Sequence, residues 1–213
     1  MSTHFDLPIT CLITAGKATP ENYQQKRDDI LGIIRIAAEC GVSLVQIREK
    51  RLTTKLLYSL VSDSVAITSG TKTRLLVNDR ADVAAATDAD GVHLTAGSMP
   101  THIVRRCFSL DMLIGVSVHS VEAAVDAARD GADFVIFAPV FATPGKGKPT
   151  GLFELADVCR KLAPFPVLAL GGIDETNYGA VLDAGASGFA AIRFLNDADR
   201  LRQIASELQL RPQ

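Results

Sequence analysis

Polar and apolar positions along the chain fall into two patterns. Short continuous runs rich in Val, Ile and Leu occupy 9–14, 43–47, 74–78, 91–94, 113–118, 133–137, 166–170 and 188–192. Runs that are apolar at successive positions, not alternating ones, suit strands of a parallel sheet covered on one face and filled on the other. Between most of them the apolar positions recur with helical spacing. Segment 27–40 aligns Ile30, Ile33, Ile34 and Ala37 on one stripe. Segment 55–68 does so with Leu56, Leu60 and Ala66 or Ile67, and segment 121–129 with Val121, Ala124, Val125 and Ala128.

A recurrent junction ties the two patterns together. Helical text ends in a glycine turn and passes directly into a strand at Cys40-Gly41-Val42, Asp90-Gly91-Val92, Asp130-Gly131-Ala132 and Ala184-Gly185-Ala186. Glycine stops helices because it reaches left-handed backbone angles at little cost. The junctions therefore read as copies of one βα repeat. Eight strands in 213 residues give about 27 residues per unit, at the low end for a (β/α)8 barrel. The spacing is uneven, because only a brief helix around 81–87 separates the third and fourth strands. A flavodoxin-like doubly wound sheet is the structural alternative but needs five or six strands. The expectation is α/β, a single-domain TIM barrel over residues 1–213, with no linker.

Composition narrows the function classes. The chain is 47% hydrophobic and 22% charged, which excludes disorder and collagen-like structure. Its longest apolar stretch, 134–142, is interrupted by Pro139 and is far short of the roughly 20 residues a membrane span needs. The first six residues show no secretory pattern, so the expected location is cytoplasmic, without membrane association. A net charge of −2 argues against a nucleic-acid partner while leaving room for a local basic pocket. Cys11, Cys40, Cys107 and Cys159 are scattered, with no CxxC pair and no histidine at metal-ligand spacing. They are expected to be reduced, buried thiols.

In such a barrel the chemistry belongs at the C-terminal ends of the strands. The second strand ends Gln46-Ile47-Arg48-Glu49-Lys50, and alternation turns Gln46, Arg48 and Lys50 to one side, toward the mouth. Glu49 and Arg51 fit solvated charge. Gln46 does not, because it lies inside an apolar run, and the set points to an anionic substrate. The third strand ends Val77-Asn78-Asp79-Arg80; Asp79 either caps the next helix or holds Mg2+ beside a diphosphate, and spacing does not separate the two. His93 reads as a structural histidine, and Ser98 as a cap for a helix entered by Met99 and Pro100. Ser117 and His119 share a face of the fifth strand, and Ser120 reads as a cap.

Two glycine-bearing loops follow. The 14 residues from Ala138 to Gly151 are rich in Gly, Pro and Lys and contain no acid, as suits a flap carrying a cation over the mouth. Their spacing is not that of a Walker loop. Gly171-Gly172 after the seventh strand, with Arg193 after the eighth, occupies the place where barrels commonly hold phosphate through backbone N–H groups. No nucleophile elbow, HExxH motif or carboxylate pair is present. Cations, amides, one Asp, one Ser and one His suit a substrate with two phosphate-bearing parts, and transfer of a phosphate or diphosphate group over hydrolysis.

Gln46-Ile47-Arg48-Glu49-Lys50, Asn78-Asp79-Arg80-Ala81-Asp82, Ala89-Asp90-Gly91-Val92-His93-Leu94, Gly115-Val116-Ser117-Val118-His119, Pro139-Val140-Phe141 with Thr143 and Lys146, and Gly171-Gly172-Ile173 occur in that order. Together they resemble the thiamin phosphate synthase and thiazole tautomerase superfamily, over roughly residues 9–195. The resemblance implies a TIM barrel that joins hydroxymethylpyrimidine diphosphate to a thiazole phosphate and releases diphosphate with Mg2+. It implies that Gln46, Arg48, Lys50, Asn78, Asp79, Ser117 and Lys146 bind the pyrimidine diphosphate, with Asp79 on the metal. Thr143 and Gly171-Gly172 would hold the thiazole phosphate. Arg48, Lys50, Lys146 and the metal would neutralise charge as it develops on the leaving diphosphate.

Three positions depart from the synthase pattern. Ser98 stands where a second metal-binding Asp is usual, Gly145 replaces a hydroxyl residue ahead of Lys146, and Arg193 replaces a small Ser. Gly97-Ser98 and Ser117-Val118-His119-Ser120 are similar to the tautomerase branch, in which the matching histidine moves a proton and no cofactor is needed. His119 is thereby a general acid/base candidate. The synthase is the leading reading, a tautomerase the alternative, and a non-catalytic binder of thiamin-pathway phosphates a third. Partners are phosphorylated small molecules; oligomeric state, homo-oligomer included, is left open.

Overall fold

A computed structural model describes residues 5, 6, 8–145 and 147–209. Eight parallel strands close into a barrel in chain order: β1 (Ile9–Ile13), β2 (Leu44–Ile47), β3 (Arg74–Asn78), β4 (Gly91–Leu94), β5 (Leu113–Val118), β6 (Phe134–Phe137), β7 (Val167–Leu170) and β8 (Gly188–Ala191). Each strand is followed by a helix: α1 (Tyr23–Glu39), α2 (Thr54–Thr68), α3 (Ala81–Ala86), α4 (Thr101–Cys107), α5 (Val121–Arg129), α6 (Gly151–Leu162), α7 (Tyr178–Asp183) and α8 (Ala198–Gln209). This is the TIM barrel expected, with strand boundaries within one residue of the apolar runs.

Both faces of every strand are used, which explains the continuous apolar runs. Outward residues such as Val45, Val77, Ile114, Val135 and Phe137 join the helices in one core. Inward residues Ile9, Cys11, Leu44, Leu76, Leu113, Phe134, Leu168 and Ala190 form a second core inside the barrel. Phe5 packs edge-on against Phe134 at a centroid distance of 6.1 Å and closes the barrel floor.

Three helix readings need correction. α1 begins at Tyr23, ahead of residue 27, because its polar first turn carries no apolar stripe to mark it. α2 buries Leu57, Leu60, Val61, Ser64 and Thr68, a stripe rotated from the expected one. Ser64 and Thr68 can be inside because their hydroxyls donate to the Leu60 and Ser64 carbonyls, at 2.7 and 3.2 Å. α5 turns Ala124 and Ala127 inward, and Val125 is 43% exposed.

Gly41, Gly131 and Gly185 take positive φ at helix-to-strand junctions, as expected. Gly91 does not. It lies within β4, where a Cβ would stand 2.0 Å from the Leu113 carbonyl oxygen, so its absent side chain serves close strand approach. The left-handed turn at that junction belongs to Asp88, with φ 56°. Among the cysteines Cys11 and Cys159 are buried, Cys40 is half-buried and Cys107 is exposed, which corrects the expectation of four buried thiols. No helix among the described residues is long and apolar enough to cross a membrane.

Candidate active site

The ends of β2 to β5 form a polar sector of the barrel mouth. Gln46 projects inward one layer above Leu44 and is 1% exposed, with its Nε2 lacking any partner. Arg48 is half-buried, and its backbone N–H donates to Thr14 Oγ1 at 2.8 Å, which ties the end of β2 to β1. Lys50 reaches over the rim to place Nζ 3.5 Å from Asp79 Oδ2. Glu49, read from sequence as solvated charge, is instead 3% exposed. Its two oxygens accept the backbone N–H groups of Gly16 and Ala18 at 2.9 and 2.8 Å, fastening the β1–α1 loop beside Arg48. The contact spans more than thirty residues, so no local pattern announces it.

Asp79 is the carboxylate at the centre of this sector. Its φ of 61° lies in the left-handed region, which Asp tolerates better than most residues. It does not cap α3, whose N-cap is Arg80 with no side-chain bond. One oxygen accepts from the Ser98 hydroxyl, from Thr95 Oγ1 at 2.9 Å and from the Thr95 N–H at 3.2 Å. The other accepts from Asn78 Nδ2 at 2.7 Å and faces Lys50. Burial raises its pKa, but the hydroxyls of Ser98 and Thr95, the Lys50 ammonium and the Asn78 amide together hold it below the ordinary carboxylate value. Ser98 is therefore not the expected helix cap: α4 starts later, at Thr101, behind Pro100. Thr95, which the sequence reading passed over, is part of this cluster. Asn78 is 7% exposed, and its Oδ1 has no partner.

On β4 and β5, His93 lies 2% exposed inside the barrel with Nε2 2.8 Å from Ser117 Oγ. Burial pushes its pKa down to about 4; Asp79 opposes that shift and Arg48 adds to it. His93 is thus bonded to Ser117 and lies within the electrostatic reach of Arg48 and Asp79. His119 is exposed, and its Nδ1 lies 2.6 Å from the Ala138 carbonyl oxygen. Ser120 caps α5 by accepting the Ala123 N–H at 3.2 Å, as expected. Lys146 lies outside the described residues.

Across the mouth, Thr143, Gly171, Gly172, Ile173, Ile192 and Arg193 line a cavity of about 310 Å3 whose described lining contains no acid. Gly171 (φ 108°) and Gly172 (φ 65°) lie so close to the β6–α6 loop that added Cβ atoms would stand 2.8 Å from Pro139 and 2.7 Å from the Ala142 oxygen. Val140 and Phe141 donate backbone N–H groups to Leu170 and Gly171 at 2.9 and 3.0 Å. The base of the expected flap is thus bonded to the end of β7, and the glycines are required there before any ligand is considered. Thr143 Oγ1 donates to the Phe141 carbonyl at 3.1 Å, and Arg193 is exposed.

A closed parallel barrel with cations, amides and the Asp79 carboxylate at its strand ends defines a (β/α)8 barrel with a polar, anion-suited mouth. The chain belongs to the thiamine monophosphate synthase family, which it matches over residues 12–195. It is 39% identical over 196 residues to a putative thiamine-phosphate synthase of Geobacter sulfurreducens, covering 90% of this chain and 92% of that one. It is 43% identical over 163 residues to a thiamine-phosphate synthase of Methanoculleus marisnigri, covering 75% and 77%. Among solved structures, thiamine phosphate pyrophosphorylase from Pyrococcus furiosus superposes with a TM-score of 0.78 at 30% identity, over 94% and 96% of the chains.

Proposed function

We propose that the protein joins hydroxymethylpyrimidine diphosphate to thiazole phosphate and releases diphosphate. The observation that carries this reading is the pair of unpartnered buried groups, Gln46 Nε2 and Asn78 Oδ1, beside Arg48, Lys50 and Asp79. A buried donor and a buried acceptor without partners cost stability unless a ligand completes them. A pyrimidine bearing ring nitrogens and an amino group offers both complements, and its diphosphate would extend toward the two cations. The acid-free cavity under Gly171, Gly172 and Arg193 would seat the second phosphate, with Thr143 at its edge.

In this scheme the bond between the pyrimidine methylene and the diphosphate oxygen breaks, and its electron pair leaves with diphosphate. The thiazole nitrogen then donates its lone pair to the methylene carbon. Arg48 and Lys50 stabilise the departing charge in place, and Ser117 offers a hydroxyl from β5. Lys146 joins them on the family pattern alone. His119 takes no part in the transfer.

Among the described residues no three His, Cys, Asp or Glu side chains gather to hold a metal. The oxygen donors at Asp79, Ser98 and Thr95 still fit a Mg2+ ion, which commonly needs only one or two carboxylates plus substrate phosphates. Asp79 would hold it, and when bound it would supply positive charge to the diphosphate. The test incubates purified protein with both substrates, with and without Mg2+, and measures diphosphate. Mg2+-dependent release is expected; none at saturating substrate would overturn the reading. The tautomerase alternative draws on His119: with Nδ1 turned to the Ala138 carbonyl, Nε2 is left for proton transfer. It predicts metal-independent isomerisation of the thiazole carboxylate phosphate, lost in His119→Ala and kept in Asp79→Ala.

A further inference from the structure

Ser117 presents its hydroxyl at the mouth, and the group behind it sets where the proton points. Nε2 of His93 lies 2.8 Å from Ser117 Oγ, while Nδ1 is buried without a partner. Nδ1 faces Gly115 and the Phe134 ring: a Cβ added at Gly115 would stand 2.8 Å from Nδ1 and 2.3 Å from the ring. Two neutral tautomers are open to such an imidazole. A proton on Nδ1 would leave a buried N–H with no acceptor and would turn the Ser117 hydroxyl back onto Nε2. A proton on Nε2 donates to Ser117 Oγ, leaves Nδ1 bare, and frees the hydroxyl to donate outward. Orphaned buried N–H groups are rare, so the second arrangement prevails.

We infer that His93 is a positioning residue that fixes Ser117 as an acceptor, so that the Ser117 O–H is presented to the diphosphate of the substrate. The identity of that outer acceptor rests on the synthase reading; the direction of the His93–Ser117 bond does not.

Nitrogen-15 NMR of histidine-labelled protein reads the tautomer without any turnover. A proton on Nε2 with bare Nδ1 is expected, and a proton on Nδ1 overturns the inference. Kinetics then test the coupling. Ser117→Ala and His93→Leu should each lower kcat about 100-fold, with KM within about threefold of the parent. Adding His93→Leu to Ser117→Ala should cost nothing further, because the histidine acts through the serine. His93→Gln, whose amide can donate from a similar place, should recover at least about a tenth of the parent kcat. Multiplying losses in the double variant, or a Gln variant as poor as Leu, overturns the inference. Should His93→Leu fail to fold by circular dichroism, the Gln variant and the NMR measurement decide. Absence of diphosphate release from the parent protein would end the synthase reading, and the NMR result would still decide the bond direction.

Discussion

Arg193 projects beside a cavity with no acid in its described lining, at a position where the family pattern has a small serine. Under the synthase reading, a guanidinium there would add a charged, forked donor to the glycine-lined cavity proposed for the second phosphate. Arg193→Ser should raise KM for the thiazole phosphate about tenfold, leaving kcat within about twofold, since phosphate far from the breaking bond is bound alike before and during reaction. Steady-state kinetics with the second substrate varied will show it. An unchanged KM would place Arg193 outside the site. Asp79 shows the opposite relation between residue and neighbours: its negative charge is retained because five donors surround it, although burial opposes that charge.

Glu49 acts on the scale of an element. Its carboxylate substitutes for a missing secondary-structure partner, satisfying two backbone N–H groups of the β1–α1 loop. Glu49→Ala should destabilise the fold by about 2–4 kcal/mol by orphaning both donors, read as a lower urea midpoint. Gly115 on β5 makes room for the side chains of β4 and β6. Gly115→Ala drives a methyl group into Phe134 and His93 and should cost about 1–3 kcal/mol, with a lowered melting temperature.

Elements were legible in the sequence where burial on both strand faces leaves unbroken apolar runs, and β1 to β8 were all visible for that reason. The stripe of α2 was not, because Ser64 and Thr68 hide their polarity in bonds to their own helix. At the site, Gln46 stood out as a polar residue in an apolar run. Glu49 did not, because its partners lie far back in the chain, and Thr95 looked like an ordinary loop residue. Nor does spacing separate helix cap from mouth for Asp79, whose carboxylate bonds to Asn78, Thr95 and Ser98 and leaves α3 without a side-chain cap.

The whole molecule responds to pH through a group in its interior. Burial pushes the folded pKa of His93 down from an ordinary 6.5 to about 4, with Asp79 opposing the shift and Arg48 adding to it. Between those values the unfolded chain binds a proton that the native state refuses. The stability contribution is therefore complete above pH 6.5, falls as pH drops toward 4, and levels off below. The total is on the order of 3 kcal/mol. Urea unfolding at intervals from pH 7.5 to about 4.5 should show this slope in the parent and lack it in His93→Gln. Asp79, held below 3.8, acts in the same direction in a more acidic window.

Among the described residues, Phe5 and Phe134 pack together at the lower end of the barrel, so the polar groups at the strand ends face the opposite side. Gln46 is buried one layer below the rim that Lys50 and Asp79 occupy, so a ligand that meets all three comes in from the mouth side. Under the synthase reading the expected order is the pyrimidine first and the thiazole second, with the joined product leaving from the same end. Excess thiazole phosphate arriving early would then obstruct turnover like a cork.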